Sequence, residues 1–418
     1  MRPEPAVSLG GFVAAAPGLL VQPRMGFGPV AEMRAGLLAT KHANAHTVGT
    51  ITVDSYTRQG DWPAARRAVA AGGDGLNGYP IAAHPVEDTR RVLDGVLDAS
   101  FPVQVRHGCA NPRPIITAMT AVGLDATEGG PVSYCLPYGR TPLRTAVRDW
   151  AECAELLAAR RGPGCEPHVE TFGGCMLGQL CPPGLLVALS VLEALFLTRH
   201  GVRSVSLSYA QQTNAEQDAA AVHALRVLAA DLLPGVDQHV VLYTYMGVFP
   251  SSVLGARALL AESARLAVRA GARRLIVKTV AEAHRIPTVA ENVAALELAA
   301  RAAADTTPAD APVDTQVLAE ARALVHAVLD LHDDIDVALL TAFALGYLDV
   351  PYCLHPDNAG NTRARIDTDG RLRWTDLGAL PVAGIAEVTG PPVLGARELL
   401  SELSYMQRQF DAEGVVAR

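Results

Sequence analysis

The chain has 418 residues, of which 50% are hydrophobic, 19% charged and 5% aromatic; 43 acidic against 35 basic residues give a net charge of −8. These figures exclude a disordered tail, a collagen-like fibre and a disulfide-stapled miniprotein. An acidic balance without a basic block argues against nucleic acid as the main partner, and an anionic ligand would need positive charge concentrated locally.

In chain order, the apolar run Val7–Val21 comes first. Glu4, its glycines, Pro17 and a lone basic Arg2 make it a poor signal peptide. Strand-like runs follow at Leu19–Pro23, Thr50–Asp54, Leu76–Pro80, Val103–Arg106, His168–Phe172, Ser204–Ser208, His239–Tyr243 and Leu275–Lys278, with Asp125–Gly130 as a ninth candidate. Helical runs alternate with them at Ala64–Ala71, Asp88–Leu97, Leu143–Arg160, Leu185–Arg199, Asn214–Leu232 and Leu254–Ala270. Such alternation predicts a parallel sheet, and about eight repeats in roughly 280 residues predict a closed (β/α)8 TIM barrel. Nine candidates compete for eight places. Leu185–Leu197 is short for a bilayer and interrupted by Glu193, so it reads as a buried helix.

The Thr-, Pro- and Ala-rich stretch Asp305–Asp314 reads as a loop. Two helical segments, Thr315–Leu331 and Val337–Leu348, and a loop-dominated tail from Pro351 complete the chain. The expected organisation is a catalytic barrel over residues 1–304 and a C-terminal extension over 315–418. Seven cysteines (109, 135, 153, 165, 175, 181 and 353) form no C-x-x-C pair and are odd in number. They read as reduced thiols of a soluble, cytoplasmic protein.

Three arginines end strand-like runs: Arg24, Arg58 and Arg106. In a parallel barrel those ends share one mouth, where planar guanidinium forks would suit a substrate with two carboxylates. Taken singly, each is as readily a solvated loop arginine. Glu128 lies in Thr-Glu-Gly-Gly, ahead of Tyr134 and Tyr138; glycines beside a carboxylate allow a ligand close approach, although an ordinary loop fits the same composition. Only two of the 35 basic residues are lysines, Lys41 and Lys278. Lys278 ends Leu-Ile-Val-Lys with Glu282 four residues on. The pair reads as a surface i, i+4 contact, a Schiff-base lysine or a ligand-binding ammonium.

Gly26-Phe-Gly28-Pro-Val-Ala31 imitates a dinucleotide fingerprint, but Pro29 removes an N–H that a pyrophosphate would use, so it reads as a chance match. No P-loop, H-E-x-x-H, EF-hand loop or G-x-S-x-G occurs. His332-Asp333-Asp334 reads as a solvated helix end, and no metal site is expected.

Several ordered motifs together resemble one family, the large (epsilon) subunit of coenzyme-B12-dependent glutamate mutase, also called methylaspartate mutase. They are Gln-Pro-Arg24-Met-Gly26, Ser-Tyr-Thr-Arg58-Gln, Leu-Asn77-Gly-Tyr-Pro, Arg106-His107-Gly, Glu128-Gly-Gly-Pro-Val-Ser-Tyr134-Cys-Leu-Pro137-Tyr138, Met-Gly-Val-Phe249-Pro, Ile-Val-Lys278-Thr-Val-Ala-Glu282-Ala-His-Arg-Ile286-Pro-Thr and Asp357-Asn358-Ala-Gly360. The resemblance spans about residues 19–380.

The resemblance implies a (β/α)8 barrel in which Arg24, Arg58 and Arg106 clamp both substrate carboxylates, with His107 beside them. Glu128 would meet the substrate ammonium, and Tyr134 and Tyr138 would line the same pocket. Gly26, Asn77, Pro137, Phe249, Lys278, Glu282 and Ile286 match positions that touch adenosylcobalamin. Catalysis would fall to Glu128 and Lys278. The implied reaction is a radical carbon-skeleton rearrangement between L-glutamate and L-threo-3-methylaspartate. The family carries its Asp-x-His-x-x-Gly cobalamin motif on a separate small subunit. The partial matches Asp237-Gln-His239 and Asp330-Leu-His332 lack the glycine, so a small cobalamin-binding partner is expected, around a homodimer of this chain within a heterotetramer. No nucleic-acid or membrane partner is expected.

Departures from the family pattern are a short segment before Arg24, Cys135 where Asn is common and Arg285 where Gly is common. Competing readings are a cobalamin-independent barrel lyase or aldolase using Lys278 as a Schiff base, and a non-catalytic glutamate-binding subunit.

Overall fold

The computed structural model describes residues 8–137, 139–175, 180–309, 314–390 and 395–416. Its strands are β1 (Leu20–Pro23), β2 (Gly49–Thr52), β3 (Val103–Arg106), β4 (Ala126–Glu128), β5 (His168–Glu170), β6 (Ser204–Ala210), β7 (Asp237–Tyr243), β8 (Arg274–Val277), β9 (Arg363–Ile366) and β10 (Leu372–Asp376). The first eight form one parallel sheet in the order β1-β8-β7-β6-β5-β4-β3-β2. A parallel bridge between Val21 and Thr47 closes the seam, with the Val21 N–H donating to the His46 carbonyl at 2.9 Å. The result is the expected (β/α)8 barrel, with helices over its outer face.

Of the nine strand candidates, Asp125–Gly130 supplies β4 and Leu76–Pro80 is the one outside the barrel. Gly78 has φ +135°, and a Cβ there would lie 2.6 Å from the Asp54 backbone nitrogen. The Tyr79 N–H donates to the Thr52 carbonyl at 2.8 Å. This segment therefore crosses the end of β2 and carries Asn77 to the mouth. Apolar composition alone could not separate a capping loop from a strand.

The helix Pro183–Arg199 is buried from Pro183 through Leu197. Its outer face is covered by the helix Gln316–Leu329, which explains why it is apolar on all sides. The helix Leu9–Ala15 puts Leu9 and Val13 against Leu20, Val48 and Ala126 at the N-terminal ends of the strands, so the apolar N-terminal run plugs the barrel base. Among the described residues no helix is long and apolar enough to cross a membrane.

The tail departs from its loop-dominated expectation. β9 and β10 form an antiparallel hairpin, and the helices Ala396–Leu403 and Tyr405–Val416 follow. Asp411 accepts hydrogen bonds from the backbone N–H groups of Ser251 and Ser252 at 3.0 and 2.9 Å, just ahead of the helix Val253–Ala270, which Ser252 caps through the Gly255 N–H. That anchor is long-range and invisible in local composition.

The barrel interior is polar rather than filled with branched aliphatics. The Gln22 amide donates to Thr50 Oγ1 and Gln104 Oε1, both at 2.8 Å. Arg274 Nη1 donates to Gln104 Oε1 at 3.0 Å and to Gln22 Oε1; Nη2 donates to Ser206 Oγ at 3.1 Å and to Glu170. His168 bonds Ser204 and Ser206 through its two ring nitrogens and stacks on His239. Burial pushes both imidazoles well below their ordinary range, with Arg274 adding to the effect, so both are neutral. Arg274 and Glu170 are fully buried, and an ion pair there holds only while both partners remain. Arg274→Met is expected to cost about 3–5 kcal/mol, read from urea unfolding. A loss below about 1 kcal/mol would show that Glu170 does not depend on this partner.

Candidate active site at the barrel mouth

Strand register assembles the site. Val105 pairs with Thr127 and Glu128 with Glu170, so Arg106, Glu128 and Glu170 end β3, β4 and β5 side by side. Pro23 pairs with Val277, so Arg24 and Lys278 are the next residues beyond neighbouring strands. Thr52 pairs with Arg106, which joins the two groups across β2.

The deeper group is a closed charge network. Arg106 and Glu128 are 4% and 2% exposed, and Arg106 Nε donates to Glu128 Oε2 at 2.6 Å. The Tyr134 hydroxyl donates to Glu128 Oε1. Burial disfavours the Arg106 cation, but Glu128 and the neighbouring phenols more than offset it and hold its pKa well above the ordinary range. Arg106 is therefore a permanent charge. Its pairing with Glu128 neutralises both groups in a medium that would not tolerate either alone.

His107 stacks on Trp150 with ring centroids 5.8 Å apart and meets Tyr134 edge-on. Its Nδ1 accepts the Cys109 N–H at 3.2 Å, which assigns the proton to Nε2. Nε2 is buried without a hydrogen-bond partner. Burial lowers the His107 pKa to about 3, so this side chain offers a neutral N–H donor and not a transferable proton.

The outer group surrounds a cavity of about 510 Å³. Arg24, Gly26, Arg58, Asn77, Glu282, Arg285 and Ile286 line it. Glu282 bridges two cations: Lys278 Nζ at 2.9 Å and Arg24 Nη1 at 3.4 Å. Burial lowers Lys278 to about 8, Arg24 adds to the shift and Glu282 opposes it. Burial pushes Glu282 upward, but Lys278 and Arg24 overcome this and leave its pKa below the ordinary value. Lys278 Nζ also lies 5.2 Å from the Phe249 ring centre. Lys278 is thus no solvated surface pair, because it is 4% exposed. Arg58 lines a second cavity of about 320 Å³ with Cys109 and Tyr134, so it forms a wall common to both groups.

Pro137 ends the turn that carries Tyr134 and is not among the described residues lining the larger cavity. Tyr138 lies outside the described residues. Cys135 donates to the Thr141 carbonyl at 3.1 Å, and burial pushes its thiol up to about 12. Arg285 is engaged by Glu291 at 2.7 Å. The dinucleotide-like loop is a packing feature: a Cβ on Gly28 would lie 2.1 Å from the Gly73 carbonyl oxygen. His332 and Asp334 form the exposed approach to the helix Ile335–Leu345, which Asp334 caps.

The sequence reading missed four residues. Glu170, Tyr243 and Arg274 connect the network from within the barrel. Glu193 accepts the N–H groups of Val132, Ser133 and Phe172 at 3.1, 2.8 and 3.3 Å and so holds the turn bearing Tyr134. Glu193 had a visible signal, a lone carboxylate inside an apolar helix; the other three had none beyond polar residues in short strands.

The fold and site define an α/β-barrel enzyme with a charged, partly enclosed pocket at the C-terminal ends of its strands. The family profile described as Methylaspartate mutase E chain (MutE) matches residues 13–394. A glutamate mutase epsilon subunit of Yersinia enterocolitica is 32% identical over 381 residues, covering 87% of this chain and 78% of that protein. One of Haloarcula marismortui is 34% identical over 380 residues, covering 87% and 77%. One of Escherichia coli O157:H7 is 31% identical over 349 residues, covering 79% and 72%. The chain belongs to the methylaspartate mutase E chain family and is an isomerase of the mutase type.

With only two lysines, 13Cε-lysine labelling gives two side-chain resonances, and loss of one in Lys278→Met assigns it. The Lys278 resonance is expected to titrate near 8, and Glu282→Gln to lower that midpoint because the opposing carboxylate is gone. A midpoint near the ordinary value of about 10.4 would show that Lys278 is hydrated.

Proposed function

We propose that this chain is the large catalytic subunit of an adenosylcobalamin-dependent mutase that interconverts L-glutamate and L-threo-3-methylaspartate by a radical mechanism. Arg24 and Arg58 on one cavity at the mouth, with Arg106 at the end of β3 paired to a buried Glu128, carry the reading. A dicarboxylate needs fixed cations that do not give up a proton, and an amino group needs a carboxylate. The unpartnered His107 Nε2–H supplies one further donor for a substrate carboxylate.

The residues fit the cofactor. Beside the substrate groups lies a cavity of about 510 Å³ walled by Gly26, Asn77, Glu282 and Ile286, with the buried Lys278, paired to the half-buried Glu282, at its edge. That set combines amide, ammonium and carboxylate groups for a hydroxyl-rich nucleoside with an apolar wall for its base. Phe249, beneath Lys278, and Pro137 complete the proposed contacts. When bound, adenosylcobalamin supplies the radical chemistry that removes and returns a substrate hydrogen. The chain's own residues orient and enclose. Arg24, Arg58 and Arg106 grip the carboxylates, Glu128 takes the ammonium, and Tyr134 and Tyr138 complete the pocket. Lys278 holds a charge whose loss near pH 8 would loosen the cofactor side. Deep burial of Arg106 and Glu128 keeps water from the reacting carbon.

A small partner carrying Asp-x-His-x-x-Gly brings the corrin in this reading. His239 of the nearest internal match is buried in the barrel against His168, with ring centroids 5.2 Å apart. The assembly would be a cytoplasmic heterotetramer around a homodimer of this chain, with residues 1–304 as the catalytic barrel and 315–418 as an extension.

Reconstitution with such a partner, adenosylcobalamin and L-glutamate tests the proposal. Formation of 3-methylaspartate with a cob(II)alamin radical signal supports it; saturable glutamate binding with neither overturns it. Borohydride trapping of a substrate adduct on Lys278 would instead establish a lyase or aldolase. Arg106→Lys keeps the charge but loses the fork, and kcat/KM is expected to fall by about 2–5 kcal/mol, roughly 30- to several-thousand-fold. Near-wild-type kinetics would remove Arg106 from the clamp. Glu128→Gln is expected to weaken L-glutamate more than glutarate, which lacks the amino group; equal effects would remove the ammonium from Glu128.

A further inference from the structure

The geometry points to Tyr243 as a positioning residue for the Arg106–Glu128 pair, one that anchors the guanidinium while its own hydrogen is held by Glu170, so that Glu128 stays open to a substrate ammonium. The inference rests on the proposed binding of an amino dicarboxylate at this mouth.

Tyr243 ends β7, on the opposite side of the barrel from β3 and β4, and its side chain crosses the interior to reach them. It is fully buried. The Arg106 guanidinium carbon lies 5.0 Å from the centre of its ring, and Arg106 Nη2 donates to its hydroxyl at 3.1 Å. Phe172 packs edge-on against the ring with centroids 5.5 Å apart. The ring and the hydroxyl together fix the plane in which the guanidinium fork is presented.

The same hydroxyl lies 2.9 Å from Glu128 Oε2 and within hydrogen-bond distance of Glu170 Oε1. A phenol has one proton, so it donates to one carboxylate at a time. Glu170 Oε1 is the nearer of the two acceptors. It is fully buried and is held by Arg274 and by Ser206 Oγ at 3.3 Å. With that hydrogen on Glu170, Glu128 accepts from Arg106 and Tyr134, and a carboxylate has about four acceptor sites. An arriving ammonium needs acceptor capacity on Glu128. Holding the Tyr243 O–H on Glu170 keeps that capacity open without breaking the Arg106–Glu128 bond, and no proton enters or leaves the network.

The arrangement separates two effects. Anchoring Arg106 serves any dicarboxylate, whereas leaving Glu128 open serves only ligands with an ammonium. Tyr243→Phe keeps the ring and removes the hydroxyl. In calorimetric titrations of the full-length chain, it is expected to weaken L-glutamate and glutarate alike, by roughly ten-fold, the size of one lost hydrogen bond to a charged group. In the reconstituted enzyme the loss is expected in KM, with kcat changed less than about three-fold. A purely structural role would lower thermal stability and leave both affinities unchanged, which overturns the inference.

Should Tyr243→Phe fail to fold, 3-fluorotyrosine at position 243 keeps the hydroxyl and nearly the volume. Its 19F resonance is expected to move on addition of L-glutamate and of glutarate, because both engage the Arg106 it anchors. Saturable binding of L-glutamate with no change in that resonance overturns the inference. Failure of the reconstituted enzyme to bind or convert L-glutamate overturns the proposed function itself, and the two failures are thereby distinct.

Discussion

A full positive charge buried inside a barrel must meet a full negative charge at hydrogen-bond distance, and Arg274 with Glu170 satisfies that constraint where no solvent reaches. The remaining architecture follows from it. Once Glu170 is committed to Arg274, the neighbouring strand positions must also be polar to complete the hydrogen bonding, and Gln22, Gln104, His168 and Ser206 fill them. A barrel floor of this kind resists repacking, because every member left unpaired costs far more than a lost aliphatic contact.

That rigidity reaches the mouth along Tyr243. Two ion pairs, Arg274–Glu170 below and Arg106–Glu128 above, are connected through one phenolic oxygen. Together they are electrically neutral, so the deep site adds no net charge to an acidic chain. The positive potential for an anionic ligand comes instead from Arg24, Arg58 and Lys278 around the rim, offset in part by Glu282. An overall charge of −8 is thus compatible with a pocket for a dicarboxylate.

Support from outside the barrel is equally specific. Glu193 sits in a helix buried on all sides, and its carboxylate collects three backbone N–H groups from two different loops. Burial raises its pKa while those bonds pull it down. It acts as a peg that sets where the Tyr134 turn begins. The loop glycines after β4 leave room for these side chains: a Cβ at Gly130 would lie 2.2 Å from Glu193 Oε1, and one at Gly129 would strike the Tyr134 and Trp150 rings. The two glycines after Glu128 therefore serve the protein's own side chains.

The amino-acid sequence determined the barrel, because alternating short apolar runs and long helices have few ways to bury both faces of a parallel sheet. It also determined which charged residues end the strands, since Arg24, Arg106, Glu128 and Lys278 each follow a run legible from composition. Only the tertiary structure decided that Leu76–Pro80 caps the barrel while Ala126–Glu128 enters it, for the choice turns on where Gly78 meets the Asp54 backbone. It alone decided that Glu170, Tyr243 and Arg274 form one network. Strand periodicity reports that a side chain faces inward, but which inward side chains meet depends on barrel register and closure, and those are set by contacts such as Arg274 with Gln22, 252 residues apart in the chain.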